Sequence, residues 1–243
     1  MKRYYAPSLD SGVLDAEQSH HCAQVMRQNV GDHFGVFDGH GHEAKARITE
    51  IAKDAVKFTV LAKAASPRPA HPVWLAQALT KGKSMDLIIE KATELGVSEL
   101  VPLQSDHSVA HVEDEKADAK VEKWKKLTIE AAKQCGQNWL PAVHPPQAPK
   151  DFVNALPKGA VKLIASLQAE AKPIKSVLRE QLASLKPGTP IVVMIGPEGD
   201  FTPAEIGAAR AAGFLPVSLG KIILRAETAA FFVLSSVAYE LME

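Results

Sequence analysis

The sequence has no long apolar run and only two cysteines. No stretch approaches the roughly eighteen consecutive apolar residues of a membrane-spanning helix, and the charged opening, residues 1–13, has no apolar run behind it. The cysteines, Cys22 and Cys135, lie far apart without a CxxC pattern, which argues against a disulfide scaffold or a zinc site. We therefore expect a cytoplasmic protein with no membrane contact, whose two cysteines are buried thiols.

The chain also lacks an excess of either charge, because its 28 basic residues balance its 28 acidic ones. This balance argues against a protein that holds nucleic acid by overall charge. It does not exclude RNA, since phosphate binding depends on Lys and Arg gathered on one face. Any RNA contact should therefore be local.

Residues 1–70 contain short alternating segments that predict a small β-rich unit. Residues 33–37 and 56–60 read as strands, and Asp38-Gly-His-Gly41 reads as a turn. One helix is expected at residues 17–27, with Cys22, Val25 and Met26 on one face. Residues 65–72 are too rich in proline for either element and predict a linker.

After Pro72, apolar strand-like runs alternate with helical patterns, which is typical of an α/β domain. Helices are expected at residues 84–95, ending at Gly96, and at residues 115–135. Thr202-Pro-Ala-Glu205 has the capping-box pattern of a helix start, and Gly213 should end that helix. The strands are expected at residues 73–79, 100–103, 161–167, 191–195 and 215–219.

Two helical surfaces have more than one interpretation. Lys120, Lys123 and Lys126 form a basic stripe, which fits a solvated face or a phosphate contact. The last helix, residues 228–241, includes Phe231, Phe232, Leu234 and Val237, and this apolar surface fits core packing or a subunit interface.

Two familiar kinds of site are not supported. Residues 76–84 end like a phosphate-binding P-loop, but Gln77 stands where that motif requires glycine, and no GxGxxG follows an early strand. His20, His21, His33, His40 and His42 lie near one another in sequence without recognised ligand spacing, so we expect no metal site.

The informative segments are two strand-exit loops near the C-terminus, Ile195-Gly-Pro-Glu-Gly199 and Leu219-Gly-Lys-Ile-Ile-Leu-Arg-Ala-Glu-Thr228. The carboxyl ends of parallel strands form a binding crevice, where glycines let backbone amides approach a ligand. Any such loop can contain glycine for structural reasons. That explanation does not account for three charges, Glu198, Arg225 and Glu227, beside strongly apolar segments.

At these loops the sequence resembles the RsmE family, bacterial methyltransferases of the SPOUT superfamily that modify N3 of a uridine in 16S rRNA. The resemblance extends through almost the whole chain in the family's order. It includes the opening Met-Lys-Arg-Tyr-Tyr5, His21-Cys-Ala-Gln-Val-Met-Arg27, Lys91-Ala-Thr-Glu-Leu-Gly-Val97 and Ala131-Ala-Lys-Gln-Cys135.

The resemblance implies an α/β fold in two domains. Residues 1–70 would form a PUA-like RNA-binding β-barrel, and residues 72–243 a SPOUT domain with a deep trefoil knot. It also implies a homodimer, 16S rRNA of the small ribosomal subunit as partner, and S-adenosylmethionine as cofactor. The implied cofactor-binding residues are Leu79, Ile195, Gly196, Pro197, Glu198, Gly199, Ser218, Leu219, Gly220, Ile223 and Leu224.

The resemblance and the chemistry of uridine methylation together suggest roles for individual residues. We expect Arg225 near the uracil oxygens and Glu198 or Glu227 as the base, although either carboxylate could instead pair with Arg225 or cap a helix. The implied RNA-binding residues are Arg3, His21, Arg27, Lys91 and Gln134. The sequence departs from the family pattern at His107, Gln137, Asp200 and Ala226.

Two other functions fit the same residues. One is a SPOUT methyltransferase that acts on another RNA. The other is an RNA-binding ribosome assembly factor without catalysis, which the neutral net charge and the arginines replaced at His107 and Gln137 would favour.

Overall fold

A computed structural model describes residues 1–242, apart from the side chain of Asp114. Glu243, the last residue of the predicted second domain, lies outside the described residues. The chain forms two compact units, residues 1–68 with 129–140, and residues 69–128 with the chain from 141 onward. Within residues 1–242, no helix is both long enough and apolar enough to span a membrane. The domain boundaries expected at residues 70 and 72 stay a prediction.

The first unit is built on a four-stranded sheet in the order β1-β2-β3-β4. β1 pairs with β2 in parallel, whereas β2–β3 and β3–β4 are antiparallel. The expected strands at residues 33–37 and 56–60 are confirmed as β2 and the first half of β4. The elements are β1 (Arg3–Tyr5), a 3₁₀ turn (Leu9–Ser11), α1 (Ala16–His20), a π-helical turn (His21–Val25), β2 (His33–Phe37), β3 (His42–Ile51) and β4 (Val56–Ala65).

The expected helix at residues 17–27 differs from the structure in its second half. α1 ends at His20, and the chain continues as a π-helical turn in which the N–H of Met26 donates to the carbonyl of His21, 2.9 Å away. Cys22 is fully buried, but Val25 is 58% exposed, so the predicted shared face is wrong. A π turn places more residues in each turn than an α-helix, which moves Val25 away from the side of Cys22.

Residues 129–140 pack with the first unit. The Trp139 indole N–H donates to the carbonyls of Ser66 (3.2 Å) and Pro67 (3.0 Å). Gly41 has a φ of 92°, and a side chain there would collide with the Trp139 ring, so glycine is required for this approach. Residues 129–140 are therefore held by residues some 70–100 positions earlier in the chain, just after β4 and in the β2–β3 turn.

The second unit contains a seven-stranded parallel sheet in the order β7-β6-β5-β10-β8-β11-β9. Its strands are β5 (Val73–Ala78), β6 (Glu99–Leu103), β7 (Ala142–Val143), β8 (Val161–Ala165), β9 (Lys172–Pro173), β10 (Ile191–Ile195) and β11 (Leu215–Ser218). Its helices are α2 (Ser84–Glu94), α3 (Asp114–Cys135), α4 (Pro149–Ala155), α5 (Ile174–Leu182), α6 (Pro203–Ala211) and α7 (Ala226–Leu241). The last residues of α3, from 129, belong to the first unit.

Both faces of this sheet are buried, which explains why its strands read as continuous apolar runs. In β10, Ile191, Val193 and Ile195 pack into one core, with α2, α5 and α7. Val192 and Met194 point to the opposite face and pack into a second core, with α4 and α6. The sheet is therefore a layer between two sets of helices, and its edge strands are β7 and β9.

The main elements predicted for the second unit are confirmed to within two residues at their ends, including all five strands. Thr202 and Glu205 form a reciprocal capping box at the start of α6. Gly96 and Gly213 have φ values of 77° and 91°, the left-handed conformation expected after a helix. α7 begins at Ala226, two residues before the predicted start, because Arg225 already has the extended conformation of an N-cap.

Several elements were not predicted, and one prediction was wrong. β7 and β9 have two residues each and α4 has seven, lengths too short to give a periodic pattern. Cys135 is exposed, contrary to the prediction of a buried thiol. It is the last residue of α3, so no following turn of the helix covers its side chain.

A pair of leucines on adjacent strands tests the burial of this sheet. Leu163 in β8 and Leu215 in β11 are register partners, but Leu163 is fully buried and Leu215 is 36% exposed. We expect Leu163→Ala to lower the free energy of unfolding by about 2–5 kcal/mol, because it leaves a cavity in the core. Leu215→Ala should cost clearly less in urea unfolding followed by intrinsic fluorescence. Equal losses from the two substitutions would contradict the arrangement.

Candidate functional site

The carboxyl ends of β8, β10 and β11 lie side by side, since β8 pairs with both of the other strands. The loops that leave these strands surround a cavity of about 630 Å³. This volume falls in the range of small-molecule sites, roughly 300–1,000 Å³. The cavity lies where ligands bind in open parallel sheets, outside the strand ends.

All of the predicted cofactor residues except Leu79 and Gly199 line this cavity. Leu79 is buried in the core beyond the end of β5, and Gly199 packs against His107. Those that line the cavity are Ile195, Gly196, Pro197, Glu198, Ser218, Leu219, Gly220, Ile223 and Leu224. The two informative loops are therefore brought to one site.

A third wall of the cavity was missed by sequence reasoning. It is formed by the segment after β8, which includes Ser166, Leu167 and Gln168. The expected strand at residues 161–167 ended in this segment, so its position at a strand exit was the available signal. It has no glycine or charge cluster to distinguish it, and Leu167 is 64% exposed at the cavity.

Two backbone conformations shape the cavity. Gly220 has a φ of 124°, which L-residues rarely adopt, and open space lies where a side chain would be. Asp200 has a φ of 59° although it is not glycine. The RsmE pattern has glycine at position 200, and the left-handed conformation there explains why glycine suits it.

Arg225 lines the cavity and is exposed at the start of α7. It stands at the N-cap, where Ser, Thr, Asp or Asn is preferred, and its side chain makes no capping bond. A cation there also opposes the positive end of the helix dipole. Within residues 1–242 we find no ion pair or hydrogen bond of its guanidinium. Local stability therefore does not account for arginine at this position.

The two candidate carboxylates have different positions. Glu198 is exposed and lines the cavity. Glu227 does not line it and lies in the first turn of α7, where a negative charge stabilises the helix dipole. Glu227 thus has a structural role, because its charge stabilises the start of α7.

Of the predicted RNA-binding residues, Arg3 and His21 are engaged within the first unit. Arg3 hydrogen-bonds the Asn138 side chain and the carbonyl of Ala132, 3.0 Å away, and stacks over Phe37. Nδ1 of His21 lies 2.8 Å from Nζ of Lys133. Burial, together with the charge of Lys133, lowers the pKa of His21. A neutral ring can accept the lysine hydrogen bond at this nitrogen.

The other three predicted RNA-binding residues are divided between the two units. Arg27 and Gln134 are exposed in the first unit, and Arg27 has a φ of 50° just after the π-helical turn. Lys91 lies in α2 of the second unit, with Nζ 2.8 Å from carboxylates of both Glu90 and Glu94. No single surface of one unit therefore collects this predicted set, and their RNA contacts stay a prediction.

The candidate metal ligands and the lysine stripe of α3 do not form a site of this kind in the described residues. Across the described part of the chain, no group of three or more His, Cys, Asp or Glu side chains could hold a metal ion. In α3, Lys120 and Lys123 are exposed, and Lys123 forms an ion pair with Asp86 of α2. This ion pair fits the solvated-face interpretation for Lys123.

An open parallel sheet with a cavity at its carboxyl edge is the arrangement of ligand-binding α/β proteins. Comparison with known families gives the particular class. A family described as an RNA methyltransferase domain matches residues 66–238, and one described as an RNA methyltransferase PUA domain matches residues 14–61. The chain belongs to the RNA methyltransferase family, in the branch of the ribosomal RNA small subunit methyltransferases E.

Individual relatives agree with this assignment. The ribosomal RNA small subunit methyltransferase E of Bacillus subtilis is 30% identical, over 99% of this chain and 97% of its own. That of Synechocystis is 34% identical, over 93% of this chain and 72% of its own.

Two solved structures are similar over nearly the whole chain. A methyltransferase from Legionella pneumophila, solved with bound SAM, has a TM-score of 0.87 and 30% identity, covering 98% of this chain and 97% of its own. A ribosomal RNA small subunit methyltransferase E from Neisseria gonorrhoeae, bound to S-adenosyl methionine, has a TM-score of 0.85 and 29% identity, with the same coverage. The predicted family and α/β fold with a PUA domain are confirmed, whereas the trefoil knot stays a prediction.

Proposed function

We propose that this protein transfers a methyl group from S-adenosylmethionine to N3 of a uridine in 16S rRNA. The observation that carries the proposal is the cavity where the exits of β8, β10 and β11 meet, with Arg225 at its wall and no ion pair of its guanidinium among the described residues. Relatives of the same fold are named ribosomal RNA small subunit methyltransferase E, and two neighbours were solved with this cofactor bound.

The residues present fit S-adenosylmethionine. A cavity of about 630 Å³ suits a ligand of this size. Ile195, Leu219 and Leu224 offer apolar surface for the adenosine, and the glycine-containing loops at Gly196 and Gly220 expose backbone groups for its polar atoms. When bound, the cofactor supplies an electrophilic methyl group on a sulfonium.

Arg225 is the residue that we assign to the target base. Loss of the imide proton from uracil N3 leaves negative charge on the neighbouring oxygens, which a fixed cation stabilises. The N–H groups in the first turn of α7 add to this positive charge, because the positive end of the helix dipole lies next to Arg225. The unfavourable N-cap position of Arg225 would then be the cost of placing a cation at the reacting base.

Glu198 is the better candidate for the base that accepts the N3 proton. It lines the cavity, whereas Glu227 does not. A base must come within hydrogen-bond reach of the proton that it removes. The first-turn position of Glu227 gives it a sufficient structural role in stabilising α7.

We also propose that the chain acts as a homodimer. The outer side of α7 leaves Phe232 44% exposed and Tyr239 74% exposed, while its inner side is buried against α2 and α5. Ile222 and Ile223, just before α7, are 74% and 79% exposed. Exposed apolar side chains of this kind are typical of an interface between subunits. The family resemblance implies that a second copy of the chain covers this surface.

The first test is methylation itself. Purified protein, S-adenosylmethionine with a labelled methyl group and unmodified small ribosomal subunits should give one N3-methyluridine in 16S rRNA, located by mass spectrometry of RNA fragments. Label only in another RNA would contradict the proposed substrate. Cofactor binding without methyl transfer to any RNA would instead indicate an assembly factor.

Arg225→Ala should lower the single-turnover rate by about a hundredfold or more, with little change in cofactor affinity, because it removes one transition-state contact. Arg225→Lys should recover only part of the rate, since lysine keeps the charge but loses the planar pair of donors. Arg179→Ala, at an exposed arginine of α5, serves as control. If Arg225→Ala methylates at the parental rate, the catalytic assignment is wrong.

Sedimentation velocity at micromolar concentration should show a dimer for the parental chain. Phe232→Glu should shift it toward monomer, because a charge would be buried in the apolar interface. Leu61→Glu changes a leucine of β4 that is similarly exposed, at 50%, and should leave the dimer intact. A stable, active monomer of the parental chain would rule out the proposed assembly.

A further inference from the structure

His107 contacts the backbone of the loop that follows β10. It lies in the loop after β6, and its Nδ1 is 3.2 Å from the carbonyl oxygen of Gly199 and 3.0 Å from that of Asp200. Carbonyl oxygens only accept hydrogen bonds, so the Nδ1 atom must carry the proton. One imidazole N–H is thus shared between two consecutive carbonyls.

The contacted turn has a conformation that needs support. The φ of Asp200 is 59°, a region that a residue with a side chain occupies only when its surroundings hold it there. Within the turn, the N–H of Asp200 donates to the carbonyl of Pro197 (3.0 Å), and its carboxylate accepts from the N–H of Phe201 (2.8 Å). The carbonyls of Gly199 and Asp200 face outward, toward the imidazole.

The loop that carries His107 is itself anchored. The Glu205 carboxylate accepts hydrogen bonds from the Ser105 hydroxyl (3.2 Å) and from the N–H of Asp106 (3.1 Å). The same carboxylate caps α6 by accepting from the N–H of Thr202, 2.8 Å away. His107 therefore extends from a short segment that is fixed to the start of α6.

His107 does not line the cavity, but the residues on either side of Gly199 do. Glu198 and Asp200 both face it. A side chain on Gly199 would begin 3.4 Å from Cβ of His107, so the two loops are in contact at this point. Any effect of His107 on a ligand must pass through the turn that it holds.

We propose that His107 is a positioning residue, whose Nδ1–H fixes the turn at residues 199–200 and so places Glu198 and Asp200 at the wall of the cofactor cavity. This inference rests on the proposed function, because it names S-adenosylmethionine as the ligand whose affinity the turn controls. His107 then acts as a backbone clamp, a side chain that holds the carbonyls of residues 199 and 200 in place.

Asparagine and leucine provide a matched pair of substitutions for this residue. The side-chain amide N–H of asparagine can take the place of Nδ1–H, and leucine has nearly the same shape without a donor. We expect His107→Leu to weaken S-adenosylmethionine binding about tenfold, and His107→Asn to stay within roughly twofold of the parental affinity. His111→Leu, at an exposed histidine of the same loop, is the control. Titration calorimetry measures all four proteins.

Equal affinities for the leucine, asparagine and parental proteins would overturn the proposal, and so would equal losses in the two variants, since the donor would then not matter. A second readout does not depend on the cofactor. Two-bond ¹H–¹⁵N spectra of the parental protein should show the His107 Nδ1 protonated, and an unprotonated Nδ1 would refute the clamp. If the parental protein binds no S-adenosylmethionine but shows this protonated nitrogen, the proposed function fails while the clamp survives.

Discussion

The site depends on the parallel pairing of β8 with β10 and β11. Parallel pairing brings the carboxyl ends of all three strands to one edge, so three loops far apart in sequence meet around one cavity. The sheet can be parallel because helices cover both faces and its strands are apolar on both sides. A single change of strand direction would separate these loops, whatever their residues.

Around this cavity the chain departs from several local preferences. α6 begins with a complete capping box, but α7 begins at an arginine that makes no capping bond. Asp200 occupies a left-handed conformation, and Ile222 and Ile223 are exposed. Departures from local preference are expected where function sets the residue. Their concentration at one edge of the sheet agrees with the placement of the proposed site there.

The first unit shows how tertiary contacts change the meaning of a charged residue. Arg3 reads as an RNA contact in the sequence, but its guanidinium ties β1 to residues 132 and 138, which pack with this unit from a distant part of the chain. Burying an arginine costs free energy unless its charge is paired and hydrogen-bonded. Here the guanidinium donates to Asn138 and to a carbonyl, and it lies 3.6 Å from the Glu43 carboxylate. The charge therefore has a structural role in joining two segments, whether or not it also reaches RNA.

The sequence by itself determined the elements with strong local patterns. These are the apolar strands, the capping box at Thr202, the glycine stops at Gly96 and Gly213, and the two glycine loops that form most of the cavity wall. Family resemblance added the class of enzyme. Only the tertiary structure revealed the wall after β8, the exposure of Val25, the packing of residues 129–140 and the contact of His107 with the turn at Asp200. These features join residues distant in the chain or alter the helical period, and short-range periodicity contains no information about either.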